Sequence, residues 1–197
     1  MQLQNQNRAP RRDPRILFFQ GFLRRPGMVG SVIPSSRYLE RRVVREARLA
    51  TARLAVELGP GTGGTTRAIL RALPADAKLL SIEINPDFLP MLRAIGDPRL
   101  IVHEGSACDL GAILAQHGLG APDVVLSGIP FSTMARSVGE QILRSAYDAL
   151  EPGGLFVAYQ VRDRVEKLGR AVFGPAAVQL ELRNVPPMRV YRWEKRV

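Results

Sequence analysis

Glu57 stands two residues ahead of Gly59 in the run Val56-Glu57-Leu58-Gly59-Pro60-Gly61-Thr62-Gly63-Gly64, and a second acid, Glu83, lies downstream. Glycines at this spacing let the main chain turn tightly and let a ligand lie against bare backbone, where a side chain would hold it off. An acid closing the next strand accepts hydrogen bonds from ribose hydroxyls. The chemistry these residues suit is the binding of a nucleoside.

The spacing narrows the choice of nucleoside. A dinucleotide fingerprint reads G-x-G-x-x-G and sets a helix N-terminus against a pyrophosphate. Here the spacing is G-x-G-x-G, with a carboxylate that would repel a pyrophosphate but suits the cationic methionine end of S-adenosylmethionine. The motif resembles the first motif of the class I methyltransferases, with Glu83 as their ribose-binding acid. A nicotinamide-dependent oxidoreductase and a binding module without catalysis are the alternatives.

Two further segments fall at strand ends, where open α/β sheets gather their ligands. Glu104-Gly105-Ser106-Ala107-Cys108-Asp109 puts Ser106 where the class I family usually carries an Asp that accepts from the adenine amino group. Either Asp109 assists or the backbone of Ala107 recognises adenine; Ser106 as a plain turn residue is the other reading. Ser127-Gly128-Ile129-Pro130-Phe131-Ser132 occupies the family's acceptor-facing position. There the ring of Phe131 would shape a slot, and carbonyls near Ser127 and Gly128 would orient an amine. An ordinary turn would also account for Gly-Ile-Pro.

The elements that must position these residues alternate. Strands are expected at 54–58, 78–84, 99–103, 123–127 and 155–161, with helices at 65–73, 86–95, 110–116, 135–150 and 163–173 between and after them. Two final strand-like runs, 178–183 and 188–193, close the pattern as a hairpin-like pair. The fold class is α/β: a doubly wound, mostly parallel, Rossmann-like sheet of seven strands with an N-terminal helical extension. Ser35 or Ser36 can cap a helix before the first strand, with Tyr38, Leu39, Val43, Val44 and Ala47 on its inner side. The expected division is a basic extension over residues 1–50 and a cofactor-binding domain over 51–197.

Charge separates these two parts. Residues 1–53 carry 12 arginines against Asp13, Glu40 and Glu46, so nearly all of the chain's +10 lies there. Such concentration suits a polyanionic partner, nucleic acid or an anionic membrane; the alternative is a solvated helix in an arginine-preferring proteome. Between Pro14 and Pro26, residues Ile16, Phe18, Phe19, Phe22 and Leu23 share one helical face. That face either lies in a bilayer interface or packs on the protein's own core. One cysteine excludes an internal disulfide, and two histidines without clustered ligands argue against a metal site. No apolar run reaches the ~20 residues that span a bilayer, and no signal peptide is expected.

Three segments together, Val29 to Ser36, Glu57 to Gly64 and Leu126 to Pro130, resemble those of bacterial phospholipid N-methyltransferases, and the resemblance extends to Asn184–Tyr191. It implies stepwise conversion of phosphatidylethanolamine toward phosphatidylcholine, with S-adenosylmethionine as donor and S-adenosylhomocysteine as product. It implies an anionic membrane as partner and a cytoplasmic location, peripheral on the inner membrane surface. On the cofactor side it implies Ser31, Glu57, Gly59, Gly61, Thr62, Gly63, Glu83, Ile84, Ser106, Ala107 and Ser127. Tyr38, Ser127 and Phe131, with Tyr159, would line the acceptor side, where an aromatic wall suits an amine that becomes quaternary. The rRNA adenine dimethyltransferases are the related alternative. They read Asn-[Leu/Ile]-Pro-[Tyr/Phe] where this chain has Gly128-Ile129-Pro130-Phe131, so the base-holding amide is missing.

Overall fold

A computed structural model describes residues 36–196. Ser31, Ser35 and the Phe-rich segment 15–25 lie outside the described residues. Seven strands form one sheet: β1 (Leu54–Leu58), β2 (Lys78–Glu83), β3 (Leu100–Glu104), β4 (Val124–Ser127), β5 (Leu155–Gln160), β6 (Ala177–Glu181) and β7 (Met188–Glu194). Their order across the sheet is β3-β2-β1-β4-β5-β7-β6. The first five are parallel, and β7 runs antiparallel to both β5 and β6. The doubly wound fold class is as expected. The hairpin-like pair is also present, but its second strand, not its first, lies against β5.

The helices are α1 (Arg37–Glu46), α2 (Gly64–Ala72), α3 (Leu89–Arg93), α4 (Leu110–Gln116), α5 (Arg136–Ala149) and α6 (Arg164–Phe173). Ser36 begins α1, its hydroxyl accepting from the Leu39 N–H at 3.2 Å. That bond satisfies one of the orphan donors of a first helical turn. The expected helix over 86–95 is shorter. Asn85 caps a 3-10 turn over Pro86–Phe88, and α3 covers only the five residues after it.

The two faces of the sheet carry separate cores. One joins Val56, Leu58, Val125 and Phe156 to the inner sides of α4, α5 and α6. The other joins Ala55, Leu79, Leu126 and Val157 to α1 and α2 through Leu39, Val43, Ile69 and Leu70. β1 is buried along its whole length, as a central parallel strand covered on both faces must be. Strand order reverses between β1 and β4. That reversal places a crevice beyond their carboxyl ends.

Candidate active site

The glycine loop after β1 and the acid that ends β2 lie at that crevice. Leaving β1, the chain passes through Gly59, Gly61 and Gly63 with φ of 71°, 56° and 81°, a left-handed region that favours glycine. Gly59 has no room for more: an added Cβ would come 2.9 Å from Ile129 Cγ1. At Gly61 an added Cβ would meet nothing within 4 Å. The loop is therefore packed on one side and open on the other, and its open side is bare main chain.

Glu83, the last residue of β2, holds this loop. Its Oε2 accepts from the Gly61 N–H at 2.9 Å and its Oε1 from the Asn85 N–H at 2.8 Å. Each carboxylate oxygen carries two lone pairs, and with backbone donors at Gly61, Asn85 and Ile84 on the carboxylate, one acceptor direction is left for a ribose hydroxyl. Burial raises its pKa against the opposing pull of the backbone donors at Asn85, Gly61 and Ile84. Ile84, next to it, is half-buried.

Glu57 lies beneath the first turn of α2, 1% exposed. Its Oε2 accepts from the hydroxyls of Thr66 at 2.7 Å and Ser81 at 2.9 Å. Oε1 is buried with no partner. Burial pushes its pKa up to about 7, with the Glu83 charge a smaller contribution and the two hydroxyls working against it. A buried carboxylate with an orphaned oxygen is costly alone and becomes favourable beside a cation. Thr66 and Ser81 escaped the sequence reading. Ser81 carried a signal: it is a polar residue in the apolar strand β2, paired in register with Glu57.

The adenine side is smaller. Ser106 caps a 3-10 turn over Ala107–Asp109, its hydroxyl accepting from the Cys108 N–H at 3.2 Å. Ser106 thus serves as a turn residue, with Ala107 buried beside it and Asp109 exposed. Thr62 is exposed on the glycine loop.

On the acceptor side, Ser127 ends β4 fully buried, and its hydroxyl accepts from the Ile129 N–H at 3.3 Å. Gly128 follows. An added Cβ there would stand 2.5 Å from the Tyr159 hydroxyl and 3.1 Å from the Gly59 carbonyl oxygen. Tyr159 in turn donates to Thr65 Oγ1 at 3.2 Å. Burial raises its pKa, with Glu57 adding to the effect, so it stays a donor. Gln160 fixes the loop by donating to the Ile129 carbonyl at 2.7 Å.

Phe131 requires a correction. Its ring is fully buried in the core with Met134 and Leu168, and all three close on Gly139 of α5. The 3-10 turn over Phe131–Thr133 rolls the ring inward, so it does not wall an open slot. Tyr38 is also occupied elsewhere. Its hydroxyl accepts from Arg37 at 2.9 Å, and the Arg183 guanidinium lies 4.3 Å from its ring centre. It borders a groove of about 210 Å³ with Arg41, Arg42, Arg45, Glu181 and Arg183. Tyr38, Ser127 and Phe131 therefore have different neighbours, whereas Glu57, Glu83 and the three loop glycines converge. Among the described residues no cluster of three or more His, Cys, Asp or Glu side chains could hold a metal.

No family model matches the chain. It is 32% identical over 178 residues to an ornithine lipid N-methyltransferase of Singulisphaera acidiphila, covering 89% of this chain and 93% of that enzyme. The chain belongs to that enzyme's family, the class I S-adenosylmethionine-dependent methyltransferases. It is also 35% identical over 106 residues to the ribosomal RNA small subunit methyltransferase A of Caulobacter vibrioides, spanning 52% of this chain but 37% of that enzyme. Among solved structures, TrmN of Thermus thermophilus superposes with a TM-score of 0.67 at 20% identity, covering 90% of this chain and 52% of that one. The O-methyltransferase TomG of Streptomyces achromogenes gives 0.66 at 18% identity, covering 93% and 91%. These two likenesses speak for the fold.

S-adenosylmethionine is the cofactor of this class, and the residues present fit it. Glu57 supplies an orphaned anionic oxygen, Gly61 an open stretch of main chain, and Glu83 a remaining acceptor direction for a ribose hydroxyl.

Proposed function

We propose that this methyltransferase acts on the primary amine of a membrane lipid headgroup. The end-to-end likeness to an ornithine lipid N-methyltransferase carries the reading. Phosphatidylethanolamine and ornithine lipid both present a primary alkyl amine. Stepwise conversion of phosphatidylethanolamine toward phosphatidylcholine, at the inner membrane surface, is the specific activity proposed.

When bound, the cofactor supplies a methyl group on a cationic sulfur. The chain's own residues then do three things. Glu57 offers negative charge beneath the glycine loop, and Glu83 binds a sugar hydroxyl while latching Gly61. The Ser127–Gly128 carbonyls, with the Tyr159 hydroxyl over Gly128, orient a neutral amine for in-line displacement. Holding reactants in such a geometry supplies much of the rate. Small, main-chain-only Gly128 suits an alkyl amine and offers no side-chain amide to a purine. The rRNA reading keeps the support of shorter likenesses.

The test supplies labelled S-adenosylmethionine with vesicles of phosphatidylethanolamine, vesicles of ornithine lipid, or unmodified small-subunit rRNA. Label in phosphatidylethanolamine is the expected result. Label in ornithine lipid alone moves the substrate within the lipid class, and label in RNA alone overturns the lipid reading.

A further inference from the structure

The loop between β6 and β7 emerges on the same side of the sheet as the cofactor crevice. β7 is antiparallel to β5, pairing Arg189 with Gln160, and β6 pairs Glu181 with Met188. The ends of β5 and β6 and the start of β7 therefore share the carboxyl edge of the parallel strands. Apolar residues are exposed at this edge: Leu182 at 67%, Val185 at 80% and Val161 at 37%. Cations flank them, with Arg162 following Val161, Arg183 following Leu182, and Arg41 across the groove beside Tyr38. Glu181, the acid in this groove, is bonded to Arg42 at 2.9 Å and Arg183 at 3.2 Å. Asp163, next to Arg162, is likewise paired, with Lys167 at 3.0 Å, so the net charge around the tip is positive.

We infer that the β6–β7 tip is a membrane-docking element, with Leu182 and Val185 entering the interface of an anionic bilayer and the surrounding arginines meeting lipid phosphates. The inference rests on the lipid reading above and adds the surface by which the crevice reaches its substrate. Two apolar side chains at a loop end suit the acyl–headgroup boundary, and guanidinium groups at the same height match phosphate oxygens in charge and geometry. Nucleic acid would use the arginines but has little use for an exposed leucine–valine pair. Docking here would set the crevice against the headgroup layer without lifting a lipid out of it.

The experiment compares wild type with a Leu182→Asp, Val185→Asp variant in flotation on vesicles of phosphatidylethanolamine and phosphatidylglycerol. In parallel, both proteins are offered a short-chain phosphatidylethanolamine dispersed below its micellar concentration. Flotation of the variant should fall at least ~10-fold while methylation of the dispersed lipid and binding of S-adenosylhomocysteine are retained. Arg183→Glu should weaken flotation on the anionic vesicles and leave binding to neutral vesicles unchanged. Equal flotation of the double variant and wild type overturns the docking proposal, and wild-type methylation of dispersed lipid then leaves the lipid reading standing. Equal flotation with a lowered melting temperature assigns the tip to a contact within the chain and also overturns it. A wild type that methylates neither lipid form removes both. If the aspartates abolish S-adenosylhomocysteine binding, Leu182→Ser with Val185→Ser gives the same comparison.

Discussion

Glu57 combines two opposed demands. Its carboxylate is buried, held by two hydroxyls and titrates near pH 7. With a folded pKa above its unfolded value, the folded state binds the extra proton between pH 4.5 and about 7. Stability is therefore fully present below the unfolded pKa and declines as pH rises to about 7. At 1.36 kcal/mol per unit the loss is on the order of 3 kcal/mol. Glu83, also raised by burial, acts in the same direction. Thermal melts of the cofactor-free protein should show falling midpoints across that range, and a Glu57→Gln variant should flatten the curve. The same variant should lose about tenfold or more in affinity for S-adenosylmethionine by calorimetry, since one buried charge pair is worth at least a pKa unit of free energy. Gly128 gives a second test. Gly128→Ala should cost most of the activity, because its Cβ lands 2.5 Å from the Tyr159 hydroxyl. Adding Tyr159→Phe should not restore it, because the Gly59 carbonyl at 3.1 Å and the ring carbon at 3.2 Å remain and the orienting hydroxyl is lost. At this scale the glycines, Glu57 and Glu83 were legible because their chemistry depends on residue type and spacing. Phe131 was not, because a turn's winding decides which way a ring beside a motif points.

The elements fit by close approach as much as by apolar area. Gly169 in α6 lies against the indole of Trp193 in β7, and an added Cβ would come 2.8 Å from Cζ2. The indole is pinned next to that contact, its N–H donating to the Gly174 carbonyl at 3.1 Å, so it has little freedom to yield. Gly169→Ala should lower stability by about 1–3 kcal/mol through overpacking, despite the better helix propensity of alanine. Urea denaturation at constant m-value would measure it. The alternation of strands and helices was readable from periodicity, since each element buries its own face. The place of β7 between β5 and β6 was not. Which edge a strand joins depends on partners far away in sequence, and both final runs read equally well as strands.

Across the whole molecule, α1 is tied to the last two strands and their loop. Arg42 binds Glu181, Arg192 binds Glu46 at 3.0 Å, and the Ser36 N–H donates to Asn184 Oδ1 at 3.0 Å. Leu39 and Val43 complete the same core face as β5 and β7. The basic stretch that composition separates from the domain thus includes a helix built into it. Glu181→Ala would leave Arg42 and Arg183 without their carboxylate. It should raise hydrogen exchange along α1 by about tenfold, with slower change in β1 and β4, since local opening follows the weakest packed unit. The strand order carries a consequence for how the sheet is closed. β5 gains its outer neighbour only from Met188–Glu194, a segment separated from it by α6 and β6. A chain truncated near residue 187 would present β5, apolar along most of its length, as a raw sheet edge. Such an edge recruits strands from other chains. Docking of Met188–Glu194 is therefore the step that closes the sheet beyond β5.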